Sequence, residues 1–126
     1  MIKYSLENID KILSALSERN RLRIVAILDF RPLAVCEIRE ILGLSFSTVS
    51  RHLAILKEAG LIAFTKDGKW VHYHLDSQLD SEIQTLVRNL LVLISDDKQV
   101  KDDLEKAKSV DKNLICKIPA LANKDN

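Results

Sequence analysis

Leu6, Ile9, Ile12, Leu13 and Leu16 recur at spacings of three and four, and Ser5 stands where a helix N-cap belongs. A second periodic segment, with Leu22, Val25, Ile27 and Leu28, begins after Ser17 and closes at Arg31-Pro32. The proline disfavours helical geometry in the residue before it. A third, shorter helix is predicted from about Val35 to Leu42, ended by Gly43, the residue type best able to take a left-handed cap. Ser45 then caps a fourth helix whose buried stripe is Val49, Leu53 and Leu56 and which ends at Ala59-Gly60. Two helices of about two and four turns across a glycine-containing turn have the sequence form of a helix-turn-helix.

The period changes after Gly60. Leu61–Thr65 reads as a strand, Asp67-Gly68 is a strong hairpin signal, and Trp70–Leu75 reads as the returning strand. A fifth helix is predicted from Ser77 to about Ser95. Its C-terminal half, through the aliphatic run Leu90–Ile94, is apolar on more than one face. Such a helix has to be covered nearly all round. A second copy of the chain meeting the first and fifth helices is the economical cover; the alternative is the C-terminal tail of a monomer. Residues 96–113 are charge-dense and predict a solvated helix, and the tail from Lys117 is polar and expected to be mobile. The predicted architecture is mostly α with a two-stranded β-hairpin wing, a dimeric winged helix-turn-helix. Because a helix-turn-helix is the element that enters a DNA groove, residues 1–95 are expected to form the DNA-binding and dimerisation domain, and 96–126 a C-terminal helix and tail.

Composition narrows the class. The chain has 126 residues, 47% hydrophobic and 29% charged, with a net charge of +1, the balance of one globular domain. No aliphatic run approaches membrane length, so no membrane association is expected. Lys3, Glu7, Asp10 and Lys11 interrupt any secretory signal core. Two cysteines far apart in sequence make neither a disulfide framework nor a closed four-ligand zinc site, so a reducing, cytoplasmic setting is expected. The charge is uneven: residues 44–74 carry Arg51, Lys57, Lys66 and Lys69 against only Glu58 and Asp67, and hold all three histidines. That local excess suits an anionic partner.

The candidate chemistry lies on the fourth helix and the hairpin. Ser47, Thr48, Ser50, Arg51 and His52 fall off the buried stripe, followed by Lys57. A recognition helix places its N-terminal half in the major groove, where Arg51 suits a guanine edge. Ser45, Ser47 and Thr48, with the helix N–H groups, suit phosphate oxygens. Lys66 and Lys69 at the hairpin tip would add backbone affinity with little sequence choice. The plain alternative is that the hydroxyls only cap the helix and Arg51 is merely solvated. His72 and His74 share a strand face without further nearby ligands and read as wing residues. No paired carboxylates, phosphate loop or nucleophile elbow appears, so no enzyme is expected.

Leu16-Ser17, Arg21–Ile24, Val35–Ile38, Leu44-Ser45, Thr48–Leu53, Leu56–Ile62, Lys66–Trp70 and Tyr73 together resemble the ArsR/SmtB family of dimeric bacterial repressors, in order and in register over roughly residues 6–95. The resemblance implies a winged-helix dimer on double-stranded operator DNA, released when a metal, metalloid or other thiol-active signal is sensed. Phe46-Ser47 departs from the family's more usual polar residue and proline, so fine base preference does not transfer. Where arsenical sensors of the family carry Cys-Val-Cys, this chain has Ala34-Val35-Cys36, with one thiolate missing. Where zinc sensors line the fifth helix with carboxylates and histidines, it has Ser77, Gln78, Leu79, Leu90 and Leu93, none suited to a cation. Asp111–Cys116 looks like the C-terminal cysteine segment of some members.

Cys36 and Cys116 are thus the candidate sensing residues. Two thiols fall short of the three that inorganic trivalent arsenic prefers, but match a singly methylated trivalent arsenical. Oxidation to a disulfide is another two-thiol signal. Cys36 near a helix N-terminus would have its thiolate favoured by the helix dipole. No cofactor is required, and a trivalent arsenical is the expected inducer. The alternatives are thiol oxidation, a regulator with no ligand, a winged-helix module that binds protein rather than DNA, or cysteines with no role beyond packing.

Overall fold

The computed structural model describes residues 4–116. Its elements run α1 (Leu6–Leu16), α2 (Arg19–Phe30), β1 (Leu33–Ala34), α3 (Val35–Leu42), α4 (Phe46–Glu58), β2 (Ile62–Asp67), β3 (Trp70–Leu75), α5 (Ser81–Leu93), α6 (Lys98–Ser109) and α7 (Lys112–Ile115). The helix ends follow local chemistry. Ser5 Oγ accepts from the Asn8 N–H at 3.1 Å, Glu18 Oε2 from the Arg21 N–H at 3.0 Å and Ser45 Oγ from the Thr48 N–H at 3.2 Å. Each satisfies a donor that the first helical turn leaves open. Gly43 ends α3 at φ 72°, a left-handed position that a side chain disfavours.

The predicted wing is present, with an additional strand. β2 and β3 pair antiparallel with Asp67 opposite Trp70, so Gly68-Lys69 is the two-residue turn. β1 pairs with the other edge of β3, Leu33 opposite Tyr73 and Ala34 opposite His72, giving sheet order β1-β3-β2. This pairing anchors the wing to the segment just before α3. The core lies between α2, α3, α4 and the sheet: Ile24, Ile27, Leu33, Ile38, Ile41, Leu53, Leu56 and Leu61 are fully buried. α5 begins later than expected. The Gln78 N–H binds Asp76 Oδ1 at 2.8 Å, shaping a turn before the helix starts after Asp80, whose carboxylate accepts from the Tyr4 hydroxyl rather than capping the helix.

α6 is helical but not simply solvated. Val100, Asp103 and Ala107 are buried at spacings of three and four, against α2 and α3. Arg23 of α2 donates Nε to Asp103 Oδ2 at 2.7 Å and Nη2 to Oδ1 at 3.0 Å, a two-pronged pair whose aspartate is 1% exposed. Arg31, at the end of α2, donates to the Ala107 and Val110 carbonyls at 3.1 and 2.9 Å and to Glu37 Oε2 at 3.1 Å. The expected division after residue 95 therefore falls between helices that share one core, with Ala107 inside the main cluster. The expectation for the tail from Lys117 lies outside the described residues. No helix among the described residues is long and apolar enough to cross a membrane.

Candidate nucleic-acid interface and thiol pair

α3, the Gly43–Ser45 turn and α4 set the predicted reading helix across α3, with its N-terminal half outward. Ser45, Ser47 and Arg51 are exposed, and Thr48 and Ser50 half-buried. The hydroxyls gather at the helix start: Ser45 Oγ donates to Thr48 Oγ1 at 2.9 Å and lies 3.3 Å from Ser47 Oγ. Open helix N–H groups beside these hydroxyls can take phosphate oxygens. Arg51 leans over a groove between α1 and α4 that Asp10, Lys11, Arg21 and Glu58 also line. Lys66 and Lys69 are exposed on the wing. Lys57 is exposed too, but its ammonium stands 4.6 Å over the Phe64 ring, itself 5.8 Å from Tyr73. That contact ties the end of α4 to the wing.

His52 corrects the expectation. It was placed on the outward face, but it is only 6% exposed. Positions 49, 52, 53 and 56 form one helical stripe, so its position faces inward although its ring is polar. Its Nδ1 lies 3.2 Å from Arg21 Nη1 and its Nε2 3.9 Å from Glu18 Oε2. A guanidinium only donates, so Nδ1 accepts and the ring proton sits on Nε2, toward Glu18. Burial pushes the imidazole below its ordinary value; Glu18 opposes this, and Arg21 and Arg51 add to it. His72 and His74 remain wing residues, with His74 Nε2 2.8 Å from Thr65 Oγ1.

The two cysteines, 80 positions apart, meet within one chain as a disulfide with Cα atoms 5.9 Å apart. Cys36 lies in the first turn of α3, and Cys116 follows α7. Both are 6% exposed, and Ala34, Phe46 and Trp70 pack around them. Phe46 is the first residue of α4 and Trp70 the first of β3. The cysteine cluster therefore meets the start of the reading helix and, because Trp70 directly follows the Gly68-Lys69 turn, the tip of the wing together. Arg39 stacks on Phe46 at 4.7 Å and Lys112 on Trp70 at 5.4 Å. The aromatic setting escaped the sequence reading; its only signal was an aromatic residue at the start of each of two elements. Among the described residues no group of three or more His, Cys, Asp or Glu side chains gathers as a metal site.

Among the described residues, apolar side chains on α5 and α1 are left open. Leu93 is 79% exposed; Val92 and, on α1, Leu6 and Leu13 are exposed as well. Leu90 and Leu91 are half-buried.

Comparison with known proteins bears on these features. The family profile described as "Bacterial regulatory protein, arsR family" matches residues 18–63. The chain is 34% identical over 96 residues to the arsenical resistance operon repressor of Escherichia coli K12, covering 64% of this chain and 82% of that protein. It is also 34% identical over 88 residues to the cadmium resistance transcriptional regulatory protein CadC homolog of Staphylococcus aureus, covering 69% and 70%. Among solved structures, HlyU from Vibrio cholerae N16961 superposes with a TM-score of 0.64 at 29% identity, over 75% of this chain and 99% of that one.

Proposed function

Because the chain belongs to the arsR family of bacterial regulatory proteins, whose members are DNA-binding transcriptional regulators, we propose that it is a repressor that grips an operator palindrome as a homodimer and is released by a thiol-directed signal at Cys36 and Cys116. Two outward α4 helices, about 34 Å apart on the dimer, would enter successive major grooves. Ser47, Thr48, Ser50 and Arg51 would meet phosphates and base edges, and Lys66 and Lys69 the flanking backbone. The exposed apolar side chains of α1 and α5 support the homodimer. No cofactor is needed for the fold or the grip.

The observation that carries the sensing half is the meeting of the two cysteines in a cluster against which Phe46 and Trp70 pack. In the dithiol state the pair offers two thiols, whose protons leave with the displaced hydroxyls. A monoorganic trivalent arsenical bearing two hydroxyls would exchange both for sulfur, releasing two waters. Seating an atom between the sulfurs pushes them apart, and with them the packing at the start of α4 and the tip of the wing. The disulfide favours a second reading, in which oxidation of the pair is itself the signal: two electrons and two protons leave to an oxidant such as peroxide, which is reduced to water.

The test is a titration of the full-length reduced protein on a palindromic duplex from its own promoter. Methylarsenous acid, arsenite, cadmium, zinc and peroxide are each added to wild type, Cys36→Ser and Cys116→Ser. Methylarsenous acid should weaken wild-type binding about 5–150-fold and leave both variants unaffected. Release by peroxide alone selects the second reading. Release of both variants as readily as wild type overturns thiol sensing, and no binding at low or moderate salt overturns the repressor.

A further inference from the structure

Arg21 occupies a junction that neither DNA contact nor thiol chemistry explains. It lies in the first turn of α2, and its guanidinium reaches two ways. Nε donates to the Ala15 carbonyl at 2.7 Å and Nη2 to the Ser14 carbonyl at 3.3 Å, at the C-terminal end of α1. Nη1 donates to His52 Nδ1 at 3.2 Å, on the inner face of α4. One side chain thus ties the last turn of α1 to the middle of the reading helix. These carbonyls belong to the last turn of α1, the negative end of its dipole, which a fixed cation complements; that of Ser14 also accepts from the Ser17 N–H and hydroxyl.

We infer that Arg21 and His52 are positioning residues for DNA reading: a polar strut that sets the angle of α4 against α1. The inference rests on the proposed homodimer, because only with α1 at the two-fold interface does that angle set the separation of the two reading helices. Both residues stand behind the interface, not in it: Arg21 is half-buried and His52 buried. An apolar contact would tolerate rotation of α4, whereas a hydrogen bond from a planar fork to one ring nitrogen is directional.

The tautomer makes the strut readable. Nδ1 accepts only while the ring is neutral. Protonation puts a hydrogen there, facing the Arg21 cation, so the bond becomes a repulsion. The groups facing the ring are Glu18 and Arg21 from the start of α2 and Arg51 on its own helix; Asp10 and Lys11 of α1 and Glu58 of α4 line the groove beside it. Since the neutral ring is favoured in the fold, the contact is intact near neutrality and fails as the pH falls below the ordinary imidazole value of 6.5.

The experiment measures duplex affinity by fluorescence anisotropy for full-length wild type, Arg21→Lys, His52→Asn and His52→Gln, from pH 5 to 8, with sedimentation and circular dichroism on each. Asparagine keeps an acceptor near the Nδ1 position; glutamine places its amide near Nε2. Arg21→Lys keeps the charge but cannot span both partners. The expected result is an affinity loss of about tenfold or more for Arg21→Lys and His52→Gln, with oligomer and helix content unchanged. His52→Asn should bind within about threefold of wild type and lose the additional acid-side fall that wild type shows. Equal affinity of His52→Gln and wild type overturns the strut, as does a loss in His52→Asn matching that in His52→Gln. If either His52 variant misfolds, Arg21→Lys decides alone, a wild-type affinity overturning the strut. Wild type binding no duplex overturns the functional reading and the strut with it, whereas loss of the strut alone leaves the repressor standing.

Discussion

α5 and α6 invert the usual relation between composition and burial. α5 carries the most apolar run in the chain, yet Val92 is 63% and Leu93 79% exposed. α6 is crowded with lysine, aspartate and glutamate, yet it is packed against α2 and α3, and its Asp103 is among the most buried side chains. Burial is decided by which surface faces the helix, not by the helix's mean hydropathy. α6 docks through a short stripe of Val100, Asp103, Leu104 and Ala107, in which Arg23 meets the one charge with both prongs. α5 has more apolar surface than the described residues cover, the excess that the proposed second copy would bury.

The contrast breaks first at Asp103. Asp103→Ala leaves the Arg23 guanidinium with its partner gone, and urea denaturation should show a loss of about 3–5 kcal/mol. Replacing the pair together, Arg23→Met with Asp103→Leu, should recover most of that loss, because the penalty belongs to the orphaned charge. If the single variant is no less stable than wild type, α6 is held by something other than this pair. On α5, Leu93→Glu sharpens the other half. Placing a carboxylate in an apolar contact costs about 2 kcal/mol or more, so sedimentation should show a shift toward monomer and the duplex titration a parallel loss. An unchanged sedimentation profile would mean that the open face of α5 is not where copies meet. The smallest effect is expected at the exposed Lys98–Asp102 pair, 3.2 Å apart. Lys98→Ala should change stability by no more than about 0.5 kcal/mol in thermal unfolding; a larger change would show that the outer face of α6 contributes to its docking.

The legible parts of the fold were those whose signals are local. Gly43 and Ser45 bracket the turn between α3 and α4, and Asp67 through Trp70 brackets the hairpin, so those boundaries matched closely. β1 escaped because two residues carry no period, and its identity as a strand depends on Tyr73 and His72 opposite. His52 and Asp103 were misjudged for one shared reason. Each occupies a core position of its helical stripe but is polar, and each is accommodated by an arginine remote in sequence, 31 and 80 positions away. Periodicity alone would have turned both inward; side-chain polarity outweighed it. The two cysteines were identified as a pair by their chemistry, but their meeting within one chain depends on α6 bringing α7 back across α3, a path no local pattern encodes.

Trp70 has a consequence beyond packing. It is the single tryptophan of the chain, and it packs against the cysteine cluster at the tip of the wing. All of the indole emission of the protein therefore originates at the thiol pair, and sulfur in its different oxidation and ligation states quenches indole light to different degrees. The protein carries its own optical label there, so the chemical state of the cysteines can be followed in solution without an added dye and without DNA present.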